Sequence, residues 1–430
     1  MSKSMPFYGL VRAFAWSLVA GHYRRHHVGK QVPVDGPLVV ICNHNNGLVD
    51  GVIQFEVTDR KLRILAKYKL FETFGIAPMV RALGAIPVYR QKDGVDTSKN
   101  ISAFQAIGEA LREGGAIMLF PEGESTYHHR VRPFHTGVAR MALGAEDPTD
   151  FTCGVQILPV GLAYDDPHAY RSSAWIWVGE PCMCTDLREL YQSDGRKAVR
   201  VFLKRIVEAQ RSVTVELDEA GDHRAVCVAE KIAPPDQEHV PHRRQALARG
   251  LGRLRAEDSA AASALIQRLD ALGESMDQHG LLRSDLAQEA PAPNLIMEVL
   301  RASLGLLIWL LLVPVSLLVG PPFLLGRLLS TRSSAPRDKE VTITVLLTSV
   351  LLPLWGVVWS VALGFVLGLW FGLATFLCIL GAFALMPRLW EKRRTLQQAL
   401  ARLSPGKTLE PLRAESDKLR QSLASLPEQA

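Results

Sequence analysis

Redox chemistry has little to work with in this chain. Its six cysteines (Cys42, Cys153, Cys182, Cys184, Cys227, Cys378) are scattered. The one close pair, Cys182-Met183-Cys184, has one residue between the sulfurs rather than the two usual in redox or zinc pairs. Reduced, non-functional thiols in a cytosolic setting are expected. Aromatics are sparse at 7%, and no aromatic–basic ribbon occurs. The net charge of +6 is small and evenly spread, which argues against nucleic acid as a partner but suits an anionic membrane surface or phosphorylated ligands. No G-x-S-x-G elbow is present, so no serine nucleophile is expected. Met1 to Ala20 is interrupted by Arg12 and has no small-residue cleavage site, so no secretory leader is expected either.

What the chain does have is apolar runs, and they are unevenly placed. From Leu38 to about Gly179 short runs alternate with helical patterns. Strands are expected at 38–42, 62–66, 84–88, 116–120, 156–163 and 174–178, with a helix stripe at Ile101, Phe104, Ile107 and Leu111 capped by Thr97 or Ser98. That alternation predicts an α/β fold, a sheet covered by helices. Ahead of it, Phe7, Leu10, Val11, Phe14, Ala15, Leu18 and Val19 share one helix face. Such a helix either packs on the domain or lies in a membrane interface.

The last third carries the long runs. Residues 302–326 hold no charge, and 341–387 form a second uncharged stretch, long enough for two spans joined near Gly364 to Gly368. Integration in a lipid bilayer follows. Arg327, Arg332, Arg337 and Lys339 lie between the stretches, and Arg388, Lys392, Arg393 and Arg394 follow. Positive-inside logic puts both clusters in the cytosol, making 341–387 a hairpin. A catalytic domain facing the cytoplasm then requires 302–326 to dip in and return, a path suggested by Pro314, Pro321 and Pro322. The expected organisation is an interfacial helix at 1–30, an α/β catalytic domain at 31–185, a helical extension at 186–295, a membrane region at 296–390 and a charged tail at 391–430.

Chemistry concentrates where the strands end. The buried run Leu38–Cys42 stops at Asn43-His44-Asn45-Asn46-Gly47, and Asp50 is close enough in chain to fold back on the His44 ring. A carboxylate on one imidazole nitrogen fixes the tautomer and leaves the other nitrogen as a base. Three further blocks follow: Gly84 to Arg90, with a proline in an edge strand and an arginine at its end; Phe120 to Ser125, with Pro-Glu-Gly; and Leu158 to Leu162. His128-His129 and His135 lack a cysteine or acidic partner set, so a loop and no metal are expected there.

These blocks, in this order, resemble the glycerol-phosphate acyltransferase family, which acylates glycerol 3-phosphate and its 1-acyl product. Ala66-Lys67 and Thr136 to Arg140 also look like family residues. The likeness is firm over roughly 38–165 and weaker beyond it. The common motif spaces His and Asp by four residues, whereas here five intervene, Asn45 to Val49. That spacing resembles the subgroup of yeast-type glycerol-3-phosphate and dihydroxyacetone-phosphate acyltransferases. Ser125 stands where the family commonly has arginine, leaving Arg130 or Arg132 to make that contact.

The resemblance implies acyl transfer from a thioester to a hydroxyl. His44 would be the base and Asp50 its partner; Arg90 and, less directly, Lys67 would meet the acceptor phosphate, and Glu122 and Gly123 would line the acceptor site. The donor would be acyl-CoA or acyl carrier protein, with no cofactor. The acceptor would be glycerol 3-phosphate, with lysophosphatidate or another lysophospholipid as the alternative. A silent scaffold that keeps the fold, or a thioester hydrolase, are the other classes.

Overall fold

Leu38 to Cys42 are all fully buried in the computed structural model, as a strand covered on both faces requires. The structure describes residues 7–73, 76–90, 94–96, 98, 100–125, 129–219, 221–233, 239–281, 285–286, 295–332, 337–403 and 405–426. Thr97 and His128, singled out above, lie outside the described residues.

The chain divides into two units. The first comprises Met1–Pro167, Ser172–Thr214 and Pro336–Thr342. It holds seven strands: β1 (Tyr23–Gly29), β2 (Leu38–Cys42), β3 (Leu62–Lys67), β4 (Ile86–Val88), β5 (Ala116–Leu119), β6 (Gln156–Tyr164) and β7 (Ser172–Val178). They form one sheet in the order β1-β7-β6-β2-β5-β3-β4. All neighbours pair parallel except β6 with β7. β2 lies at the centre, with Leu38 opposite Ala116 on one side and Gln156 on the other. Parallel strands need crossovers, and the helices Asn100–Arg112 and Gly137–Glu146 supply them, burying Ile107, Leu111, Val138, Ala142 and Leu143. The helix Gly195–Ser212 adds Ala198, Phe202 and Ile206 to the same core. The expected α/β sheet covered by helices is therefore the fold.

Two strand expectations change. Gly84 and Ala85 are not in β4: helix Ala77–Ala82 runs up to them, and Gly84 leaves it at φ +63°. β1 was not expected at all, because Tyr-Arg-Arg-His-His-Val-Gly shows no apolar alternation. It is an edge strand, paired only to β7, where charged side chains discourage pairing with another chain. The preceding helix, Tyr8–His22, buries Tyr8, Ala15 and Val19 and leaves Phe7, Leu10, Phe14 and Trp16 exposed.

The second unit comprises His168–Arg171, Val215–Ala335 and Ile343–Ala430. Helices Asp222–Ile232, Val240–Glu257, Ser259–His279 and Pro405–Ala424 close around Leu251, Leu269, Leu272 and Leu419. Two helical stretches, Ile296–Leu317 and Thr342–Leu367, are long and apolar enough to cross a membrane. A third qualifies if Leu369–Phe383 and Leu385–Leu403, bent by 41° at their break, make one span. The break between helices Arg337–Leu367 and Leu369–Lys392 falls at Gly368, at φ +99°, inside the segment expected to join two spans. Gly372 lets the second helix approach: a Cβ there would lie 2.5 Å from the Ser360 carbonyl oxygen.

The dip-and-return expected at 302–326 is not found. Leu295–Arg332 is one helix of 38 residues that contains Pro314, Pro321 and Pro322. Each proline removes one backbone donor, but in apolar surroundings the remaining ladder still satisfies the chain better than an open loop does.

Candidate active site

The sheet sets the site. β2, β3, β4, β5 and β6 run parallel, so their carboxyl ends share one edge. Ligands of open α/β sheets bind beyond that edge. His44 and Asp50 follow β2, Lys67 ends β3, Arg90 follows β4, and Glu122 and Gly123 follow β5. The block Leu158–Leu162 lies inside β6 and forms wall rather than loop.

β2 ends because a side chain takes over its ladder. Asn43 accepts from the Leu162 amide at 2.7 Å and donates to the Leu162 carbonyl at 2.9 Å, which frees the backbone to turn at His44. Asp50 lies on the short helix Gly47–Ile53 and is fully buried. Its Oδ2 accepts from the amides of Asn45 (2.7 Å) and Asn46 (2.6 Å) and from His44 Nδ1 (3.0 Å). Its Oδ1 accepts from the Tyr164 hydroxyl at 2.6 Å. The carboxylate assigns the His44 proton to Nδ1, so Nε2 carries the lone pair. That nitrogen has no hydrogen-bond partner among the described residues. The ring lies flat on Phe120, centroids 3.8 Å apart, and its side chain keeps 16% exposure.

A second cluster forms across the sheet edge. Arg90 starts from the edge strand β4, yet its Nη1 reaches the Gly123 carbonyl beyond β5 at 2.9 Å. Gly123 sits at φ +73°, and a Cβ there would come 2.8 Å from the His135 ring. Glu122 is buried, and its Oε1 has no hydrogen-bond partner among the described residues. Burial pushes its carboxyl up to about 7; Arg132 opposes this through its charge and a backbone bond, and Asp50 adds to it. Arg132 thus acts on the cluster, whereas Arg130 is exposed. Lys67 ends β3, two strands from β2, and is opposite Val88 in register. Ser125, in the place of the family's arginine, instead ties two loops together, its hydroxyl accepting from the Gly47 amide at 3.1 Å. Among the described residues no His, Cys, Asp and Glu group is placed to hold a metal ion.

Sequence reasoning missed the support around the pair: Asn43, Asn46, Phe120, Tyr23 and Tyr164. Tyr164 was one residue beyond the strand expected at 156–163, so the strand signal itself could have found it.

The site thus places a histidine–carboxylate pair at the carboxyl edge of a parallel sheet, beside a buried acid and an arginine. Residues 24–163 match the acyltransferase family model, so the likeness to that family covers this segment of the chain. Over 143 residues the chain is 32% identical to glycerol-3-phosphate O-acyltransferase 2 of Saccharomyces cerevisiae, a match covering 33% of this chain and 19% of that protein. It is 30% identical over 186 residues to glycerol-3-phosphate O-acyltransferase 1 of the same yeast, covering 42% and 23%. An uncharacterized acyltransferase of Schizosaccharomyces pombe matches at 36% over 129 residues, covering 29% and 18%. The chain thus spans about a fifth of the length of these relatives. The solved 1-acyl-sn-glycerophosphate acyltransferase PlsC of Thermotoga maritima aligns at 19% identity with a TM-score of 0.31, over 47% of this chain and 78% of its own.

Proposed function

We propose that this protein is a membrane-bound O-acyltransferase that moves an acyl chain from a thioester, acyl-CoA or acyl carrier protein, to glycerol 3-phosphate. The observation that carries the reading is the His44–Asp50 pair, with Nδ1 held at 3.0 Å and Nε2 open. His44 Nε2 takes the proton of the acceptor hydroxyl, and the oxygen attacks the thioester carbonyl. The tetrahedral intermediate collapses by breaking the C–S bond, and the imidazolium returns its proton to the leaving thiolate. Asp50 stabilises the imidazolium, and Phe120 beneath the ring restrains it and offers its π face to the charge.

A thioester is already activated, so direct attack suffices. Arg90 presents a guanidinium to the acceptor phosphate while its bond to Gly123 fixes its reach. Lys67, Arg132 and Arg130 add positive charge on the same side, and Glu122 and Gly123 line the acceptor. The apolar helices hold the protein in a bilayer, and Phe7, Leu10 and Phe14 rest on the lipid surface.

The test is product analysis on the full chain in detergent, with acyl-CoA and either glycerol 3-phosphate or 1-acylglycerol 3-phosphate. Lysophosphatidate from the first acceptor supports the reading. Product from the second acceptor alone moves the protein to the next acylation. Free fatty acid regardless of acceptor makes it a hydrolase.

A further inference from the structure

Asp50 has two carboxylate oxygens, and the mechanism above uses only Oδ2. Oδ1 points away from His44, into a region with no solvent, and is held there by Tyr164 at 2.6 Å. Tyr164 is the last residue of β6 and is 4% exposed. Its phenol is pushed well above its ordinary value, first by burial and then by the charge of Asp50, so it remains a donor through the working pH range. Behind it lies a second buried tyrosine, Tyr23, whose ring is 5.3 Å from that of Tyr164. Tyr23 accepts from the Asn46 side chain at 2.8 Å and donates to the Pro167 carbonyl. Asn46 in turn supplies one of the amides on Oδ2. Tyr164 therefore braces Oδ1 directly, while Tyr23 holds the side chain of the residue whose amide binds Oδ2.

A carboxylate turns readily about its last torsion, so an oxygen with no partner lets the other one drift. A donor on Oδ1 also draws charge from the oxygen that faces the imidazole. We propose that Tyr164 is a positioning residue for the reaction: its hydroxyl fixes the Asp50 carboxylate and sets how strongly that carboxylate polarises His44. This rests on the acyl-transfer reading above. Tyr164 is too deeply buried for its hydroxyl to be offered to a substrate, so its effect passes through Asp50.

The test compares full-length wild type, Tyr164→Phe, and protein carrying 3,5-difluorotyrosine at position 164, a stronger donor of nearly the same shape. Acyl transfer is followed across about pH 5.5 to 9. Tyr164→Phe is expected to lower kcat about tenfold with both KM values unchanged. The acid limb of its profile should move to higher pH, because more charge stays on the oxygen facing the ring. Difluorotyrosine should move the limb to lower pH, and this variant decides if Tyr164→Phe does not fold. On an Asp50→Asn background, Tyr164→Phe should cost little more, since the two act as one unit.

A limb that stays in place in both variants, or an equal loss with and without Asp50, overturns the proposal. A tyrosine that only fills space would lower the melting temperature and leave the limb where it is. His44→Ala, run alongside, separates the two levels: if it retains activity, the base reading fails, whatever Tyr164 does.

Discussion

Replacing Asp50 by asparagine changes one atom and removes one charge, at a site where the structure limits how the new side chain can sit. Oδ2 faces two backbone N–H donors, at 2.7 and 2.6 Å, as well as His44. The amide NH2 cannot occupy that place, since it would set donor against donor. The asparagine oxygen must therefore take the Oδ2 position, and its NH2 must face Tyr164, whose hydroxyl turns to accept. Packing survives, but three bonds to a charged acceptor become bonds to a neutral one. With charged bonds worth about 1.5–3 kcal/mol and neutral ones about 1, the fold should lose roughly 1.5–6 kcal/mol. Catalysis should lose more. The imidazolium formed in the transition state no longer faces an anion, and in triads of similar logic the same exchange costs about 10⁴ in kcat. We expect a fall of about 10² to 10⁴ in kcat with KM for the acceptor nearly unchanged. The assay is initial-rate acyl transfer on protein shown by thermal melt to be folded. Activity within about threefold of wild type would refute the role given to Asp50.

Glu122 predicts an unusual pH dependence. Its native value of about 7 lies above its ordinary 4.5, so the native state holds the proton more tightly than the unfolded chain. Stability therefore falls as pH rises from about 4.5 through about 7, by up to about 3 kcal/mol at about 1.4 kcal/mol per pH unit. Glu122→Gln should flatten that slope in denaturation series; an unchanged slope places its origin elsewhere. Gly123→Ala forces a side chain into φ +73° and against His135, costing about 1–2 kcal/mol. Because Arg90 binds the Gly123 carbonyl, its acceptor KM should rise while donor KM holds, and equal rises would count against the acceptor assignment. Gly161→Ala would put a Cβ 1.7 Å from the Val213 carbonyl oxygen. With backbone on both sides, the cost should exceed about 3 kcal/mol, read as loss of folded protein on size exclusion.

The centre of the sheet was legible because burial on both faces leaves only apolar residues. β2 was expected at 38–42 and found there, and β3, β5 and β6 differ by one residue at one end. Strand ends, where polar groups are satisfied by pairing, were not. β7 begins at Ser172 rather than Ala174, and β1 is written in arginine and histidine. The long apolar helix was legible as apolar, but its prolines suggested a turn that the backbone does not take. In the site, His44 and Asp50 were named because their residue types carry chemistry, and Arg90, Glu122 and Gly123 through the resemblance of the blocks that hold them. Asn43, Phe120 and Tyr164 were missed because their roles arise only from pairings distant in sequence, such as the 114 residues separating Tyr164 from Asp50.

The central claim is that His44 removes the acceptor proton. The direct measurement is lysophosphatidate formed from acyl-CoA and glycerol 3-phosphate by wild type and His44→Ala, in detergent, with lipid products resolved and folding matched by thermal melt. Loss of a general base predicts a fall of about 10² to 10⁴, with acceptor binding retained. Equal rates in the two proteins would contradict the account.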